Sequence, residues 1–346
     1  MYDRKLVQHL QAHGDEVEII SQPGSKYWRH LPQNFSRGML SYLENADFDL
    51  LLQDELNHPS LFLLNQRLRP TISYPIISIV HHLRSSEHHP PFLLSLYRWV
   101  ERRYLTSVDG FVCNSETTKR SVVKMVGKDR SFSDRSFIVA APAGDRFQPK
   151  ITLEEITARC QESGPLRILF VASLIPRKGL HRLLQALSQL PRDEWLLNVV
   201  GATAVSPAYT NRLYLQIEKA GLRDRITFQG LVSDEQLAKQ YRRSHLLIVP
   251  SQYEGFGIVY LEGMGFGLPA LGGTAGAAGE IIRDGRNGYL IHERDTAVLT
   301  QRIRQLIENR DQLARLSCNA RQTYLDWPSW EDSMAQVRAF LHRSTY

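Results

Sequence analysis

Ten short apolar runs, each closed by polar or turn-forming residues and followed by a longer amphipathic stretch, constrain this chain more than any other feature. "DEVEIIS", "FDLLLQ", "PIISIVHH", "GFVCNS" and "FIVAAPAG" lie in the first half; "RILFVAS", "WLLNVVGA", "RITFQG", "HLLIVPS" and "LPALGG" lie in the second. Runs of this length without polar alternation read as strands buried on both faces, and helical stretches between them supply parallel crossovers. The pattern predicts an α/β fold with doubly wound parallel sheets, and it occurs twice. Between the two series, "QPKITLEEITARCQESGP" is polar and offers no strand. The expected division is a first domain over 1–150, a second over 151–326, and a helix over 327–346 that packs back on the first.

The length of 346 residues suits two domains. With 42% hydrophobic and 23% charged residues the composition is that of a globular chain, which excludes a disordered one. Three widely spaced cysteines, Cys113, Cys160 and Cys318, give neither a disulfide framework nor a metal knuckle, and a reducing cytoplasm is expected. No stretch approaches the ~18 uninterrupted apolar residues of a membrane span. Arg98, Arg102 and Arg103 lie among leucines and aromatics in "FLLSLYRWVERRYL", a helix read either as an ordinary domain helix or as a membrane-surface one. Net charge is +6 and suits anionic partners such as nucleotides; no RNA-binding or zinc-finger signature brings nucleic acid into the expectation.

"EGFGIVYLE" places Glu254 and Glu262 eight positions apart. Glu254 follows the apolar "HLLIVPS", just past the carboxyl end of a predicted parallel strand, where ligands bind in open α/β sheets. A helix is predicted from Gly257, so its free N–H groups point the same way. Glycosidase carboxylates stand roughly 5 to 9.5 Å apart across one bond. Eight residues of mostly helix advance about 12 Å, which suits a long ligand gripped at two points. The plain alternative is a surface glutamate and a partner of the helix dipole.

Seven glycines between Gly263 and Gly279 favour the first reading, because such density makes sense where backbone approaches a ligand or another backbone. Glu280 is expected to open a further helix, "EIIRDGRNG". Arg177 and Lys178 stand at the predicted start of a helix in "RILFVASLIPRKGLHRLLQAL", the end where cations are unfavourable unless an anion sits there. In the first half, Asp54, Glu55, Asn57 and His58 follow one strand, and His81, His82, Glu87, His88 and His89 follow another. Their spacing matches no zinc-peptidase motif, so they read as loop residues lining a crevice, with His81 facing it. The absence of G-x-S-x-G, G-x-x-x-x-G-K-[ST] and strand-linked G-x-G-x-x-G motifs argues against a hydrolase triad, a P-loop ATPase and a dehydrogenase.

In family order, "GDEVEII", "CNSETTK", "APAGDRFQP", "IPRKG", "VVGA", "ITFQGLVSDEQL", "VPSQYEGFGIVYLEGMGFGLPAL", "GEIIRDGRNGYLI" and "WPSWED" resemble the segments of glycosyltransferase family 4. The resemblance implies a GT-B fold, two Rossmann-like domains facing a central cleft, and retaining transfer of a hexose from a nucleotide-diphosphate sugar to a glycan, lipid-linked or small-molecule acceptor. It implies no metal or other cofactor. By position, Glu254 with the backbone of Gly255, Phe256 and Gly257 would hold the donor sugar, Glu262 the ribose and Lys178 the diphosphate. Gly201 and the Gly230–Leu231 backbone would lie near the base, and His81 beside the reacting sugar.

Two departures qualify the resemblance. The family's Gly-Arg-Leu stretch is here Ala172–Ser173–Leu174, and Arg177 is expected to replace the lost charge. The family's first strand and its Gly-Gly loop have no counterpart before Tyr2, so the first domain is expected to lack its first strand. A nucleotide-sugar-binding protein without turnover, or a sugar-nucleotide epimerase of the same fold, is the alternative. A cytoplasmic protein, at most peripheral at a membrane, is expected.

Overall fold

The computed structural model describes residues 1–22, 27–87, 89–127 and 135–345. The chain divides into two compact units, Met1–Pro142 with Pro328–Tyr346, and Ala143–Trp327. The expected boundary at residue 150 thus lies inside the second unit.

The first unit contains α1 (Tyr2–Ala12), α2 (Tyr27–His30), α3 (Arg37–Glu44), β1 (Leu51–Asp54), α4 (His58–Leu68) and β2 (Ile76–Val80). These are followed by α5 (Pro91–Leu105), β3 (Gly110–Cys113), α6 (Glu116–Val126) and β4 (Ser136–Val139). The strands form one parallel sheet in the order β1-β2-β3-β4. Every residue of β2 and β3 is buried, as expected for strands covered on both faces. Ser115 caps α6 by accepting the Thr118 N–H at 3.0 Å.

"DEVEIIS" does not form the predicted strand. Its residues carry no regular structure, and among the described residues the ladder partner of β1 is β2. A cavity of about 1410 Å³ is lined both by residues of the segment, Val17 and Ile20 among them, and by Leu51 and Gln53 of β1. A segment without a neighbour in ladder contact has no inter-strand hydrogen bonds to define it as a strand. β1 is therefore the first strand among the described residues.

The second unit runs α7 (Leu153–Gln161), β5 (Leu166–Val171), α8 (Leu180–Leu187), β6 (Trp195–Val200), α9 (Pro207–Ala220), β7 (Ile226–Gly230), α10 (Asp234–Arg243) and β8 (Leu246–Val249). It continues with α11 (Ile258–Gly265), β9 (Ala270–Gly273), α12 (Ala278–Ile281), β10 (Gly288–Ile291), α13 (Thr296–Glu308) and α14 (Arg310–Leu325). Its parallel sheet has the order β10-β9-β8-β5-β6-β7. Capping boxes at Thr152/Glu155 and Ser233/Gln236 fix the starts of α7 and α10. The predicted helix from Glu280 is corrected. Glu280 lies inside the four-residue α12, and the chain then turns at Arg283–Asn287 into β10, a strand that the apolar pattern did not announce.

The last helix, α15 (Trp330–Ser344), belongs to the first unit. Trp330 meets Tyr2 edge-on at 5.8 Å, Ser333 donates to the Ala141 carbonyl at 2.7 Å, and Arg338 pairs with Asp15 at 2.6 Å. The "WPSWED" segment supplies its capping box through Ser329 and Asp332.

Candidate active site

In the second sheet β5-β6-β7 run one way from the centre and β8-β9-β10 the other. The loops after β5 and β8 consequently diverge at the carboxyl edge, the switch point where doubly wound sheets open a crevice. Lys178 comes from the first of these loops and Glu254 from the second. Lys178 Nζ donates to both oxygens of Glu254, at 3.0 and 2.7 Å, and Ser251 Oγ donates to Oε2 at 2.9 Å. The Glu254 side chain is only 9% exposed. A buried carboxylate held by one lysine and one hydroxyl forms a charged site that an incoming diphosphate or polyhydroxyl ligand can contest.

The Glu254 loop is built on backbone. Glu254 N–H donates to the Ala275 carbonyl at 3.1 Å, Ala277 N–H donates to the Glu254 carbonyl at 2.8 Å, and Glu254 bridges Gly276. At Gly276, with φ +88°, an added Cβ would stand 2.0 Å from the Glu254 carbonyl oxygen. The glycine-rich stretch thus serves, at this position, the approach of backbone to backbone.

Arg177 and Lys178 lie in a short 3-10 turn, Pro176–Lys178, ahead of α8, with Gly179 between. Arg177 Nη1 donates to the Tyr253 carbonyl at 2.8 Å, and the Gln252 N–H donates to the Arg177 carbonyl at 2.8 Å. Arg177 therefore braces the loop that carries Glu254. Gly201 directly follows β6 and Gly230 ends the adjacent β7, and the Gly201 N–H donates to the Gly230 carbonyl at 2.9 Å. Gly201 is required sterically, since a Cβ there would fall 1.9 Å from the Ala172 carbonyl. Gly230 has open space around it, and Leu231 is 81% exposed. Phe256 is buried and meets Trp327 edge-on at 6.2 Å, and Gly257 is the left-handed residue that opens α11. Lys178, Gly201, Gly230 and Glu254 thus come together along one sheet edge.

Glu262 sits in α11 and is buried. Its Oε2 accepts from the Tyr241 hydroxyl at 3.0 Å, and Oε1 lies 3.5 Å from Arg146 Nη1. Burial pushes its carboxyl above the usual range, with Tyr241 and Arg146 pulling it back in part. Glu254 and Glu262 share no hydrogen-bond partner among the described residues. Arg146 and Tyr241 were not singled out from the sequence; the available signal was a cation beside Phe147 inside "APAGDRFQP".

In the first unit His81 Nε2 meets Asp3 Oδ1 at 3.1 Å and Asp54 Oδ1 at 3.9 Å, and its ring packs edge-on to Tyr2. Burial alone would lower its pKa, but the Asp3 hydrogen bond and the charges of Asp3, Asp54 and Glu55 outweigh it and hold the imidazole above its ordinary value. His82 and His89 instead turn to Glu87, at 3.4 and 4.0 Å. His88 lies outside the described residues. Three groups of metal-capable side chains occur among the described residues: His9–His13–Glu331, Asp3–Asp54–His81 and Glu55–His58–Glu101. Cys113, Cys160 and Cys318 are free thiols. No helix among the described residues is long and apolar enough to cross a membrane.

Two parallel α/β units with a charged site at the switch point of the second define the GT-B architecture, and the comparisons agree. A sucrose-phosphate synthase from Thermosynechococcus elongatus superposes with a TM-score of 0.78 at 20% identity, over 99% of this chain and 92% of that one. Anabaena HepE, solved with UDP-glucose, gives 0.71 at 21% identity, over 97% and 88%. At these identities the likeness concerns the fold. The model for glycosyl transferases group 1 matches residues 154–323, and the model for Glycosyltransferase Family 4 matches residues 2–131. The chain belongs to glycosyltransferase family 4.

Among curated relatives, the D-inositol 3-phosphate glycosyltransferase of Nocardia farcinica is 28% identical over 64% of this chain and 49% of its own length. The MMP alpha-(1->4)-mannosyltransferase of Mycolicibacterium hassiacum is 26% identical over 90% of this chain and 75% of its own. The matched region spans about half the length of the first curated relatives.

Proposed function

We propose that the protein is a retaining hexosyltransferase that takes its sugar from a nucleotide-diphosphate donor and passes it to a glycan, lipid-linked or small-molecule acceptor. The observation that carries this reading is the Lys178–Glu254 contact at 2.7 Å on the carboxyl edge of the second sheet, with Glu262 held separately in α11. On binding, the donor diphosphate takes over Lys178 and releases Glu254 to accept from sugar hydroxyls, with the Gly255–Gly257 backbone alongside. Glu262 accepts from the ribose, and the base lies near Gly201 and the Gly230–Leu231 backbone. The bond from the anomeric carbon to the diphosphate oxygen breaks as the acceptor oxygen bonds to that carbon on the same face. The acceptor's proton passes to the leaving diphosphate. Charge developing on that diphosphate falls on Lys178, so the step is proposed to run without a metal or other cofactor. His81 is assigned, on the family resemblance, to a hydroxyl of the reacting sugar.

The mannosyl and inositol phosphate transferases among the relatives support glycosyl transfer as the reaction class. Incubation with radiolabelled UDP-, GDP- and ADP-hexoses and glycan or lipid acceptors is expected to give a labelled product with the donor's anomeric configuration, undiminished by a chelator. Donor binding without transfer or hydrolysis would instead favour a binding protein, and inversion at the anomeric carbon would refute the retaining course.

We assign α5 a peripheral contact with a membrane surface. Phe92 is 73% exposed and Trp99 50% exposed, beside the exposed Arg98, Arg102 and Arg103. Apolar side chains flanked by cations suit an anionic lipid surface. Sedimentation with phosphatidylglycerol-containing vesicles is expected, reduced about tenfold in a Phe92→Asp/Trp99→Asp variant; equal recovery of both proteins would remove α5 from this role.

A further inference from the structure

Arg146 stands near the start of the second unit, on a segment that is pinned closely against α11. A Cβ on Gly144 would lie 2.7 Å from Leu261 Cβ and 3.1 Å from the Glu262 backbone nitrogen. From there the guanidinium reaches Glu262 Oε1 with Nη1 at 3.5 Å and Asp234 Oδ2 with Nε at 3.0 Å, and it lies 5.0 Å from the centre of the Phe147 ring. The side chains of Glu262, Arg146 and Asp234 are 5%, 31% and 64% exposed. The fork thus joins a buried carboxylate on one side to a solvated one on the other. Tyr241 on α10, Arg146 on this segment and Asp234 at the start of α10 are the titratable or charged groups that face Glu262 among the described residues.

The chemistry of that arrangement is specific. An ionised carboxylate accepts from a diol on both of its oxygens, whereas a protonated carboxyl commits one oxygen as a donor and binds the diol less well. A buried carboxyl with no cation beside it tends to keep its proton. Arginine does not lose its charge in this range, and its planar fork fixes an orientation that lysine would not. Asp234, well exposed, holds the fork in place while water screens its own charge.

We propose that Arg146 is a positioning residue that keeps Glu262 ionised and turned toward the ribose diol of the donor, making the site selective for ribonucleotides over 2′-deoxyribonucleotides. The proposal rests on the assignment of Glu262 to the ribose made above. Removing Arg146 takes away a contact that favours the charged form, so Glu262 protonates at a higher pH in the variant. Ribose recognition is then lost as pH falls.

The test is calorimetric titration at pH 8 and pH 6 with whichever of UDP, GDP and ADP binds wild type best, alongside its 2′-deoxy counterpart. The ratio of the two affinities cancels the titration of the diphosphate itself. Wild type is expected to prefer the ribonucleotide by about tenfold at both pH values, the worth of one good hydrogen-bonded group. Arg146→Ala is expected to keep part of this preference at pH 8 and to lose it at pH 6, while Arg146→Lys, which returns the charge without the fork, is expected to remove the pH dependence and restore only part of the preference. Arg146→Gln carries the same expectation should the alanine variant not fold, as judged by its melting curve. A preference and pH profile in Arg146→Ala equal to those of wild type overturn the proposal, provided that Glu262→Gln abolishes the preference. A wild type that does not distinguish the two sugars, with Glu262→Gln unchanged, overturns the assignment of Glu262 and this proposal with it.

Discussion

Lys178→Ala is expected to lower glycosyl transfer by about a thousandfold and, at the same time, to make the second unit easier to unfold. The two effects have one cause. Glu254 is a buried carboxylate whose charge is met by Lys178 at 2.7 Å, with Ser251 as the remaining side-chain donor. Removing one partner of a buried ion pair leaves the other charge without compensation, a loss of about 3 kcal/mol or more. The pair can be separated from its function by a double substitution. Lys178→Ala/Glu254→Gln should recover much of the melting temperature, because no buried charge remains, while transfer stays abolished. Melting curves and donor turnover for the two single variants and the double one form the check. Equal melting temperatures and unchanged turnover in Lys178→Ala would reduce the contact to an incidental surface pair.

Gly276→Ala is the second large effect expected, at a residue that carries no functional atom. Its φ is +88°, and its Cβ would lie 2.0 Å from the carbonyl oxygen of Glu254. That carbonyl accepts the Ala277 N–H, so the loop cannot retreat without breaking the bridge that sets Glu254 in place. Gly285 provides the comparison, with φ +71° and no atom within 4 Å of a built Cβ. Gly285→Ala should lose only about 1 kcal/mol, from the left-handed backbone alone, and bind donor as wild type does. Gly276→Ala should lose donor affinity by about a hundredfold, a loss of about 3 kcal/mol at the Glu254 grip. Matching affinities in the two variants would show that the close approach does not set the Glu254 loop.

The sequence carried the architecture well where structure is decided locally. Buried aliphatic runs such as Ile76–Val80 and Leu246–Val249 became fully buried strands, because an apolar run that short can satisfy its backbone only in a covered sheet. It failed where a neighbour decides. "DEVEIIS" has a strand's composition but no strand in ladder contact, and Gly288–Ile291 became a strand through pairing with β9 despite its modest apolar content. The helix expected from Glu280 likewise gave way to the turn that leads into that pairing.

At the site, the positions of Glu254, Lys178 and Gly201 relative to their strands were legible, since strand ends in a parallel sheet share one edge. Their mutual contacts were not. Nothing in the spacing revealed that Lys178 would close on Glu254, that Arg177 would brace the Tyr253 carbonyl, or that Arg146 and Tyr241 would converge on Glu262. Those contacts depend on how α10, α11 and the 143–149 segment pack, which pattern alone does not specify. The same holds for His81, whose partner Asp3 lies in the first turn of α1.

The central claim is that the carboxyl edge of the second sheet holds a nucleotide-diphosphate sugar, with the sugar at Glu254. Calorimetric titration of wild type and Glu254→Gln with UDP-, GDP- and ADP-hexoses, and with the matching nucleoside diphosphates, tests it most directly. At least one sugar nucleotide should bind wild type with a Kd of about 1 mM or tighter, and Glu254→Gln should weaken that sugar nucleotide by about tenfold more than its diphosphate. No binding by any of them, or an equal loss for the sugar nucleotide and the diphosphate, would contradict the account.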